Sequence, residues 1–566
     1  MPPDSSAPRP ASEARPALLA FLALVTFTVS QSVYDMLAAN QVFLTLRQVS
    51  NLQLLEVIAV FNLLPAAALF ALWWLLRKLH PAPARLFFSA AVAALFLLLF
   101  LQIQTHYFPG GKLLAGALLL WLIPAVLLGW AAVRYEKSFR LFIRALSPVI
   151  VLFPALFLLH TWADRGQLPP PPAPAAPSQA ATTAPPGNRP PIFFLLLDEL
   201  NLEALLGPDG RIDPARFPNF HRLAAQSHFF LNATANADQT TLSLPAILTG
   251  EFPARGAPTA RNYPKNLLTL LEPYYDIYAY ESVTGFCDPD RFHCLAASRQ
   301  RAAGHGEFLR DVFYLYAARV LPPQLDLGLP DLRQTWGPFR DAAALVRVRV
   351  ERFEKFMDAL PQLDTRKPFF FFFHHMLPHA PYLLAPDGSL DDDPLNAFTP
   401  ELRGNSVKIL EVRKRYQRQI RFTDQQLGRF LARLKELGLY DNALLIVTAD
   451  HGVSYDPETP GRALVPARNA EMILLVPLFI KLPHQTGGEN SERDVQLVDL
   501  VPTLAEQLGL AVPWPLAGRS VFAPDPPARP KVAYDQLGRR YELPPDLSRC
   551  VVRACEASAN QRPGAR

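Results

Sequence analysis

The chain has 566 residues, a length that fits two or three domains rather than one. Half of the residues are hydrophobic, and the mean hydropathy of +0.10 is high for a wholly soluble protein. The formal net charge is only +5, and the lysines and arginines are scattered without a basic arm. This composition argues against a nucleic-acid partner, and we expect none.

The hydrophobic excess lies before residue 163, in five apolar runs separated by short polar breaks. Each run has the roughly 20 residues that a helix needs to cross a bilayer. Trp73, Trp74 and Trp162 lie near the ends of runs, as in interfacial aromatic belts. Four runs follow the first one, so we interpret the first as a retained helix and not as a signal peptide. We predict a transmembrane domain of five helices over residues 1–162, with apolar runs at 17–34, 53–76, 86–104, 113–133 and 141–160.

Lysines and arginines in the short loops set the orientation of such helices. The loops on one side carry nine of these residues, and the opposite loops carry two. They are Arg9, Arg15, Arg77, Lys78, Arg85, Arg134, Lys137, Arg140 and Arg144 on the first side, against Arg47 and Lys112 on the other. We therefore expect a multi-pass protein of a bacterial-type inner (cytoplasmic) membrane, with a cytoplasmic N-terminus and its C-terminal domain on the periplasmic or extracellular side.

The four cysteines all follow the apolar runs and form two close pairs, separated by six and four residues. These spacings do not match a zinc knuckle, and an oxidising compartment favours local disulfides. We predict the disulfides Cys287–Cys294 and Cys550–Cys555.

Residues 163–190 are rich in proline and alanine and predict an extended, semi-rigid linker. From Pro191 onward the pattern is α/β, because apolar strand candidates alternate with amphipathic helical segments. We predict an α/β domain over residues 191–525 and a C-terminal tail over 526–566. The predicted strands are 192–197, 369–373, 443–448 and 474–480, and the clearest predicted helix is 412–437.

Metal-type ligands follow two of these strands. Asp198 and Glu199 follow the first strand, and Asp450 and His451 follow the strand 443–448. Open α/β sheets bind ligands at the carboxyl ends of their strands, where a carboxylate beside an imidazole suits zinc or manganese. A solvated loop acid and histidine would explain either pair alone, but two such pairs in one domain favour a metal site.

Histidines follow a third strand. The run Phe369–Phe373 leads into His374 and His375, and two nearby prolines hold the loop that carries His379. Packing at a strand end is a sufficient explanation for the first two histidines alone. The rigid loop, however, predicts that His379 lies at the same edge of the sheet as Asp198 and Asp450.

Thr240 is the candidate nucleophile. A hydroxyl attacks poorly at neutral pH unless a base or a metal deprotonates it, and the predicted metal site offers both. The alternative is that Thr240 caps a helix beginning near Leu242. Both roles are compatible, because a helix N-terminus also offers N–H groups to a phosphate or sulfate.

Seven segments occur in an order typical of one family. They are Leu197–Glu199, Phe217–Leu223, Thr240–Gly250, Pro378–Tyr382, Thr448–Gly452, Val476–Lys481 and Val498–Thr503. On these segments the chain resembles the alkaline phosphatase superfamily, in the sulfatase-like branch that includes phosphoethanolamine transferases and lipoteichoic acid synthases. Five membrane helices before an exported domain are similar to the transferase members.

The resemblance implies a role for each matching residue. Asp198, Glu199, Asp450 and His451 match metal-binding positions, and Thr240 matches the catalytic residue that also contacts the metal. It further implies a divalent metal ion, which could be zinc, manganese or calcium, and a sulfatase-like catalytic domain over 191–525.

The resemblance also implies that His379 contacts the anionic group of the substrate. Phosphoethanolamine transferases carry a further histidine after the Asp-His-Gly segment, whereas this chain runs on to Arg462 and Arg468. A guanidinium matches a phosphate geometrically, so either arginine is a candidate to hold it. Of the two we list Arg468, with His379 and His375, as substrate-binding residues.

Sulfatases need Cys or Ser at position 240, with Pro and Arg two and four residues later, but this chain has Thr240, Leu242 and Leu244. We therefore expect transfer of a phospholipid-derived head group, of the phosphoethanolamine or phosphoglycerol type, through a threonine-bound intermediate. The partners would be a membrane phospholipid donor and a cell-envelope glycan or lipid acceptor. A membrane-anchored hydrolase of phosphoric or sulfuric esters and a non-enzymatic scaffold are the alternatives.

The charge asymmetry of the loops gives a first testable prediction. A reporter that is active only in oxidising compartments should be active when fused after Arg566 and silent when fused near Arg85. The opposite pattern would overturn the predicted orientation.

Overall fold

The computed structural model describes residues 10–38, 44, 49–107, 114–166, 189–254, 257–294, 305–320, 342–391, 393, 395–524 and 527–548. The chain forms two compact units, one of Met1–Gln167 with Gln300–Phe339 and one of Leu168–Arg299 with Arg340–Arg566. Most of the predicted linker and the pair Cys550 and Cys555 lie outside the described residues.

The described residues of the first unit form helices and the short turns between them. Two π-helical turns, Thr26–Ser30 and Ala59–Leu63, each continue one helix directly into the next. The helices are Pro10–Val25, Gln31–Ala38, Asn51–Ile58, Leu64–Leu79, Pro81–Tyr107, Leu114–Arg134, Glu136–Leu146, Val149–Gly166 and His305–Val320.

Four helical stretches among the described residues are long and apolar enough to cross a membrane. They are Glu13–Ala38, Asn51–Leu79, Pro81–Gln104 and Glu136–Thr161, which correspond to the first, second, third and fifth predicted runs. The fourth predicted run forms the helix Leu114–Arg134, but its part with described side chains, Leu120–Arg134, is shorter than a span. A count of five crossings therefore stays a prediction.

The second unit is built on an eight-stranded sheet. Its strands run in the order β5-β4-β6-β1-β7-β8-β2-β9. The strands of the unit are β1 (Ile192–Asp198), β2 (His228–Phe230), β3 (Ala233–Thr234), β4 (Asp276–Tyr280), β5 (His293–Cys294), β6 (Phe369–Pro378), β7 (Leu444–Ala449), β8 (Leu478–Lys481), β9 (Glu489–Ser491), β10 (Val495–Gln496), β11 (Lys531–Tyr534) and β12 (Arg540–Leu543).

Helices accompany this sheet. The α-helices are Pro218–Ala224, Thr240–Thr249, Leu267–Leu271, Ala342–Ala359, Ser406–Glu436, Pro466–Leu474 and Leu500–Leu508, and the 3₁₀ helices are Glu203–Leu205, Leu360–Gln362, Pro400–Leu402 and Leu497–Asp499. The central strands β6, β1 and β7 are parallel and buried along their length, which explains why they are continuous apolar runs in the sequence. On one face, for example, Phe373 stacks on Phe356 at 4.1 Å between ring centroids.

The predicted strand 369–373 continues as β6 to Pro378, and two other predicted elements begin several residues away from their observed starts. The predicted strand 474–480 begins later, as β8 at Leu478, because Leu474 ends a helix and Pro477 has no N–H for a ladder. The predicted helix 412–437 begins earlier, at Ser406, because the side chain of Asn405 accepts a hydrogen bond from the N–H of Lys408 and caps it.

The parallel pairing of the three central strands brings the predicted ligands to one edge. Leu197 of β1 is level with His375 of β6 and with Ala449 of β7. Consequently, the residues just beyond these positions meet at the carboxyl edge of the sheet.

The predicted Cys287–Cys294 disulfide is present and lies at one side of the sheet, where β5 pairs with β4. The bond closes a loop with a sequence separation of 7 residues. A loop this short removes little chain entropy from the unfolded state.

Peptide mapping without reduction should therefore recover Cys287 and Cys294 in one linked species. Replacing both cysteines by serine should lower the free energy of unfolding of the second unit by about 2 kcal/mol. Free thiols at both positions in protein purified from the oxidising side would contradict the pairing.

Candidate metal and nucleophile site

Three residues from the three central strands form the centre of the site. Asp198 ends β1, His374 lies in β6 and Asp450 follows β7 directly. One potential ligand atom from each lies within 4.8 Å of the others. All three side chains are completely buried.

The polar atoms of this group are suited to a divalent metal ion. Both carboxylate oxygens of Asp198 and both ring nitrogens of His374 lack a well-formed hydrogen bond among the described residues. Their nearest mutual contact, from His374 Nε2 to Asp198 Oδ2, is 3.4 Å. Buried polar groups without partners are costly, and carboxylate oxygens with an imidazole nitrogen are ligands that zinc or manganese accepts. The residues present therefore fit a metal ion held by Asp198, His374 and Asp450.

The surroundings shift the pKa values of Asp198 and Asp450 in opposite directions. Burial alone would raise the pKa of Asp198, but the charges of His379 and His374 outweigh burial and lower it. Burial, together with the charge of Asp198, raises the pKa of Asp450. Burial would lower the pKa of His374, yet the Asp198 carboxylate raises it overall. A cation between these groups would relieve the repulsion between the two carboxylates.

Thr240 lies directly beside Asp450. Its hydroxyl donates a hydrogen bond to Asp450 Oδ2 at 2.6 Å, and His451 Nε2 lies 3.4 Å from the same hydroxyl oxygen. The helix begins at Thr240 itself, after Gln239, and has no side-chain cap. The prediction that Thr240 caps a helix beginning near Leu242 is therefore wrong, because Thr240 is itself the first helical residue and its hydroxyl donates to Asp450.

Ser243, one turn later in the same helix, anchors this arrangement. Its hydroxyl donates to the backbone carbonyl of Asp450 at 2.6 Å. The N–H of His451 donates to Asp450 Oδ1 at 2.8 Å, which fixes the orientation of the carboxylate. The start of the helix and the end of β7 are thus held together by hydrogen bonds at Asp450.

Glu199 points away from the metal-type group, toward Tyr382 and His379. It has a left-handed backbone, with φ of +65°, which is uncommon for a residue with a side chain. Its N–H donates to Asp450 Oδ1 at 3.1 Å and its carbonyl accepts from the Tyr416 hydroxyl at 2.8 Å. These bonds compensate for the strained backbone.

The carboxylate of Glu199 accepts a hydrogen bond from the Tyr382 hydroxyl, and its Oε2 lies 3.4 Å from His379 Nε2. It does not join the group of three at the centre of the site. A metal-binding role for Glu199 therefore stays a prediction.

His379 lies between the buried group of Asp198, His374 and Asp450 and the carboxylate of Glu199. Its Nε2 is 4.0 Å from Asp198 Oδ1 and 3.1 Å from Arg462 Nη1. Arg349 donates to the backbone carbonyl of His379 at 2.5 Å and is itself buried, which lowers its pKa to about 10. The structure thus places His379 beside two cationic side chains, where an anionic substrate group can be bound.

His375 and Arg468, two residues assigned to substrate binding, lie elsewhere. His375 follows His374 on the strand, so its side chain points to the opposite face and contacts Gln426 Oε1 at 2.8 Å. Burial there lowers its pKa to about 4. The guanidinium of Arg468 is half-exposed and pairs with Asp456 at 3.0 Å. The structure therefore places His374, and not His375, in the buried group with Asp198 and Asp450, and it places Arg462, and not Arg468, beside His379.

Sequence reasoning also missed several residues of the site. Tyr382 and Tyr416 were not assigned because a tyrosine alone indicates packing as readily as function. Glu281, just beyond β4, is partly exposed as a residue, but its carboxyl group is directed inward at the same edge of the sheet, and the burial of that group raises its pKa to about 7. Its position after a strand was the one signal that could have identified it.

The family model described as Sulfatase matches residues 209–510, more than half of the chain. The chain belongs to the sulfatase family. This confirms the resemblance to the sulfatase-like branch of the alkaline phosphatase superfamily, and with it the α/β fold of the second unit.

Individual relatives match shorter segments of this sulfatase-family chain. Lipoteichoic acid synthase 1 of Bacillus subtilis is 28% identical over 162 residues, which cover 27% of this chain and 23% of that protein. Endo-4-O-sulfatase of Bacteroides thetaiotaomicron is 28% identical over 171 residues, which cover 28% of this chain and 33% of that protein. The chain thus spans a third or less of these relatives' lengths.

Among solved structures, the phosphonate monoester hydrolase SpPMH from Silicibacter pomeroyi is 20% identical. The match covers 61% of this chain and 79% of that chain, with a TM-score of 0.43.

The neighbouring histidines of β6 provide a matched pair for testing the metal site. His374→Gln should lower the affinity for zinc or manganese by at least about tenfold, because it removes a ligand. His375→Gln, on the opposite face of the same strand, should leave the affinity unchanged. Metal content after dialysis of the purified full chain measures both. Equal losses in the two variants would contradict the assignment of His374.

A second matched pair tests the anion-binding side. Arg462→Gln should lower kcat/KM for an aryl phosphodiester by about ten- to a hundredfold, because a charge-assisted hydrogen bond contributes about 1.5–3 kcal/mol. Arg468→Gln should keep wild-type kcat/KM, since its guanidinium pairs with Asp456. An unchanged kcat/KM in Arg462→Gln would exclude a role for that arginine in substrate binding.

Proposed function

We propose that this sulfatase-family chain is an enzyme that transfers a phospholipid-derived head group, of the phosphoethanolamine or phosphoglycerol type, to a cell-envelope acceptor. The observation that carries the proposal is the hydrogen bond from the Thr240 hydroxyl to Asp450 Oδ2, beside a buried acid and histidine group. A hydroxyl held in this way is poised to lose its proton and attack.

In the first step, Thr240 Oγ1 attacks the phosphorus of a membrane phospholipid while its proton passes to Asp450 Oδ2. The bond between phosphorus and the glycerol oxygen of the lipid breaks, and this oxygen takes up a proton from the solvent, which releases diacylglycerol and leaves a phosphodiester on Thr240. In the second step, a hydroxyl of the acceptor attacks the same phosphorus and gives its proton to the solvent. The bond from phosphorus to Thr240 Oγ1 then breaks, and Thr240 regains its proton from Asp450. His379 and Arg462 bind the phosphoryl oxygens throughout.

A divalent metal ion held by Asp198, His374 and Asp450 would act as a Lewis acid and favour the deprotonated form of the hydroxyl. The residues around it exclude water from the ionised groups, since Asp198, His374 and Asp450 are completely buried. Tyr382 and Tyr416 keep Glu199 directed toward His379.

Threonine at position 240 supports phosphoryl transfer over sulfate ester hydrolysis. Threonine cannot be converted to the formylglycine that sulfatases use, and Leu242 and Leu244 occupy the positions of the proline and arginine that follow it there. The four apolar helical stretches support a lipid donor, because an enzyme of soluble esters has no need of them.

A hydrolase that uses water as the acceptor is the second candidate. It is supported by the similarity to the endo-4-O-sulfatase of Bacteroides thetaiotaomicron. The same residues would form the same intermediate on Thr240. The two functions differ only in the molecule that then attacks it, an acceptor hydroxyl in the transferase and water in the hydrolase.

The decisive experiment is mass spectrometry of the Thr240 peptide after the purified full chain is mixed with phospholipid vesicles. The expected result is an adduct on Thr240 with the mass of the head group, which persists until a glycan or lipid acceptor is added. Rapid release of a free phosphorylated head group without acceptor would establish the hydrolase instead.

Substitutions at Thr240 test the nucleophile. Thr240→Ala should lower turnover by at least about a thousandfold, equivalent to about 4 kcal/mol of transition-state stabilisation, while metal content remains. Thr240→Ser should keep part of the activity, since a primary hydroxyl can still attack. More than about a tenth of wild-type turnover in Thr240→Ala would show that another group attacks.

A further inference from the structure

The helical unit contains a cavity that the proposed ester chemistry does not use. It has a volume of about 440 Å³ and is lined by residues of five helices, among them Pro10–Val25, Pro81–Tyr107 and Glu136–Leu146. This volume falls in the range of small-molecule binding sites.

The charges around the cavity are unbalanced. Five arginines and two glutamates line it, an excess of three positive charges. The arginines are Arg15, Arg77, Arg85, Arg140 and Arg144. Glu13 pairs with Arg77 at 2.7 Å and Glu136 pairs with Arg140, so both acids are already neutralised. Within the described part of the chain, the other three arginines form no ion pair.

The inner wall of the cavity is apolar. Trp73 is buried there, and Phe88 packs edge-on against Phe139 at 5.9 Å between ring centroids. Ile143, also in the wall, is buried in the same hydrophobic cluster. A ligand that fits these surroundings has an anionic group for the arginines and an apolar part for the rings.

The helix Glu136–Leu146, which forms the charged start of the apolar stretch Glu136–Thr161, has the residue pattern of an interfacial helix. Phe139 and Ile143 face the hydrophobic cluster, whereas Leu141 and Phe142 are exposed and Arg140 and Arg144 carry the charge. Amphipathic helices of this kind lie at the level of lipid head groups. All five arginines also belong to the loops predicted to be cytoplasmic, where anionic lipids attract basic residues.

We propose that this cavity binds the head group of an anionic glycerophospholipid from the cytoplasmic leaflet. The phosphate lies against Arg15, Arg85 and Arg144, and the first part of the acyl chains contacts Phe88 and Phe139. The site is separate from Thr240, and the proposal holds whether the ester chemistry is transfer or hydrolysis.

The test compares two triple variants of the full chain by native mass spectrometry, from nanodiscs of phosphatidylcholine with or without phosphatidylglycerol. The cavity variant is Arg15→Gln with Arg85→Gln and Arg144→Gln. The control variant is Lys78→Gln with Arg134→Gln and Lys137→Gln, which removes the same charge from the same predicted loops but not from the cavity wall. All six side chains are exposed, so glutamine should leave the helix packing intact.

The expected result is that wild type and the control variant retain phosphatidylglycerol. The cavity variant should retain at least about tenfold less of it than wild type. Lysine at the three cavity positions should restore most of it, because the charge returns. Equal retention in the cavity and control variants would overturn the proposal. Retention of phosphatidylcholine to the same extent, or displacement of the lipid by millimolar inorganic phosphate, would also overturn it.

Discussion

The second unit depends on one constraint, the burial of the Asp198 carboxylate without a well-formed hydrogen bond from any described residue. A buried carboxylate costs several kcal/mol unless opposite charge compensates it. The compensating groups come from the neighbouring strand β6 and from the loop after it. His374 Nε2, in β6, lies 3.4 Å from Asp198 Oδ2, and His379 Nε2, in the loop, lies 4.0 Å from Asp198 Oδ1. The central three strands are therefore both the hydrophobic core of the unit and the support of its most polar group.

Consecutive residues at the end of β1 serve two different purposes. Asp198 faces the group that fits a metal ion, whereas the left-handed backbone of Glu199 turns its side chain toward His379. Asp450 links the two, because one of its oxygens accepts from Thr240 and the other from the N–H of Glu199. A buried group whose atoms suit a metal ion thus adjoins a histidine beside two cationic side chains, which is the arrangement that the proposed ester transfer requires.

Membership of the sulfatase family establishes the fold but does not select the reaction, because one fold serves many chemistries. The residue that distinguishes the possibilities is Thr240, which has the geometry of a nucleophile but cannot be processed as sulfatase nucleophiles are. The lipid site proposed in the first unit would bind a second type of anionic ligand, since its arginines lie far along the sequence from any residue of the ester site.

The sequence by itself determined the class of the fold and which residues follow its central strands. Long apolar runs, strand-end acids and the order of the motifs are local patterns, so the positions of Asp198, Asp450 and His451 at the carboxyl edge of the sheet could be predicted from them. The roles of these residues and of Thr240 stay predictions. The sequence could not decide between His374 and His375, because five preceding phenylalanines on a strand buried on both faces leave no alternation to show which histidine faces the edge. Nor could it choose Arg462 over Arg468, since both lie in one segment and only the packed fold brings one guanidinium to His379 and the other to Asp456. Side-chain direction and long-range pairing are properties of the tertiary structure. They alone decided that His374 and Arg462, and not His375 and Arg468, lie in the site.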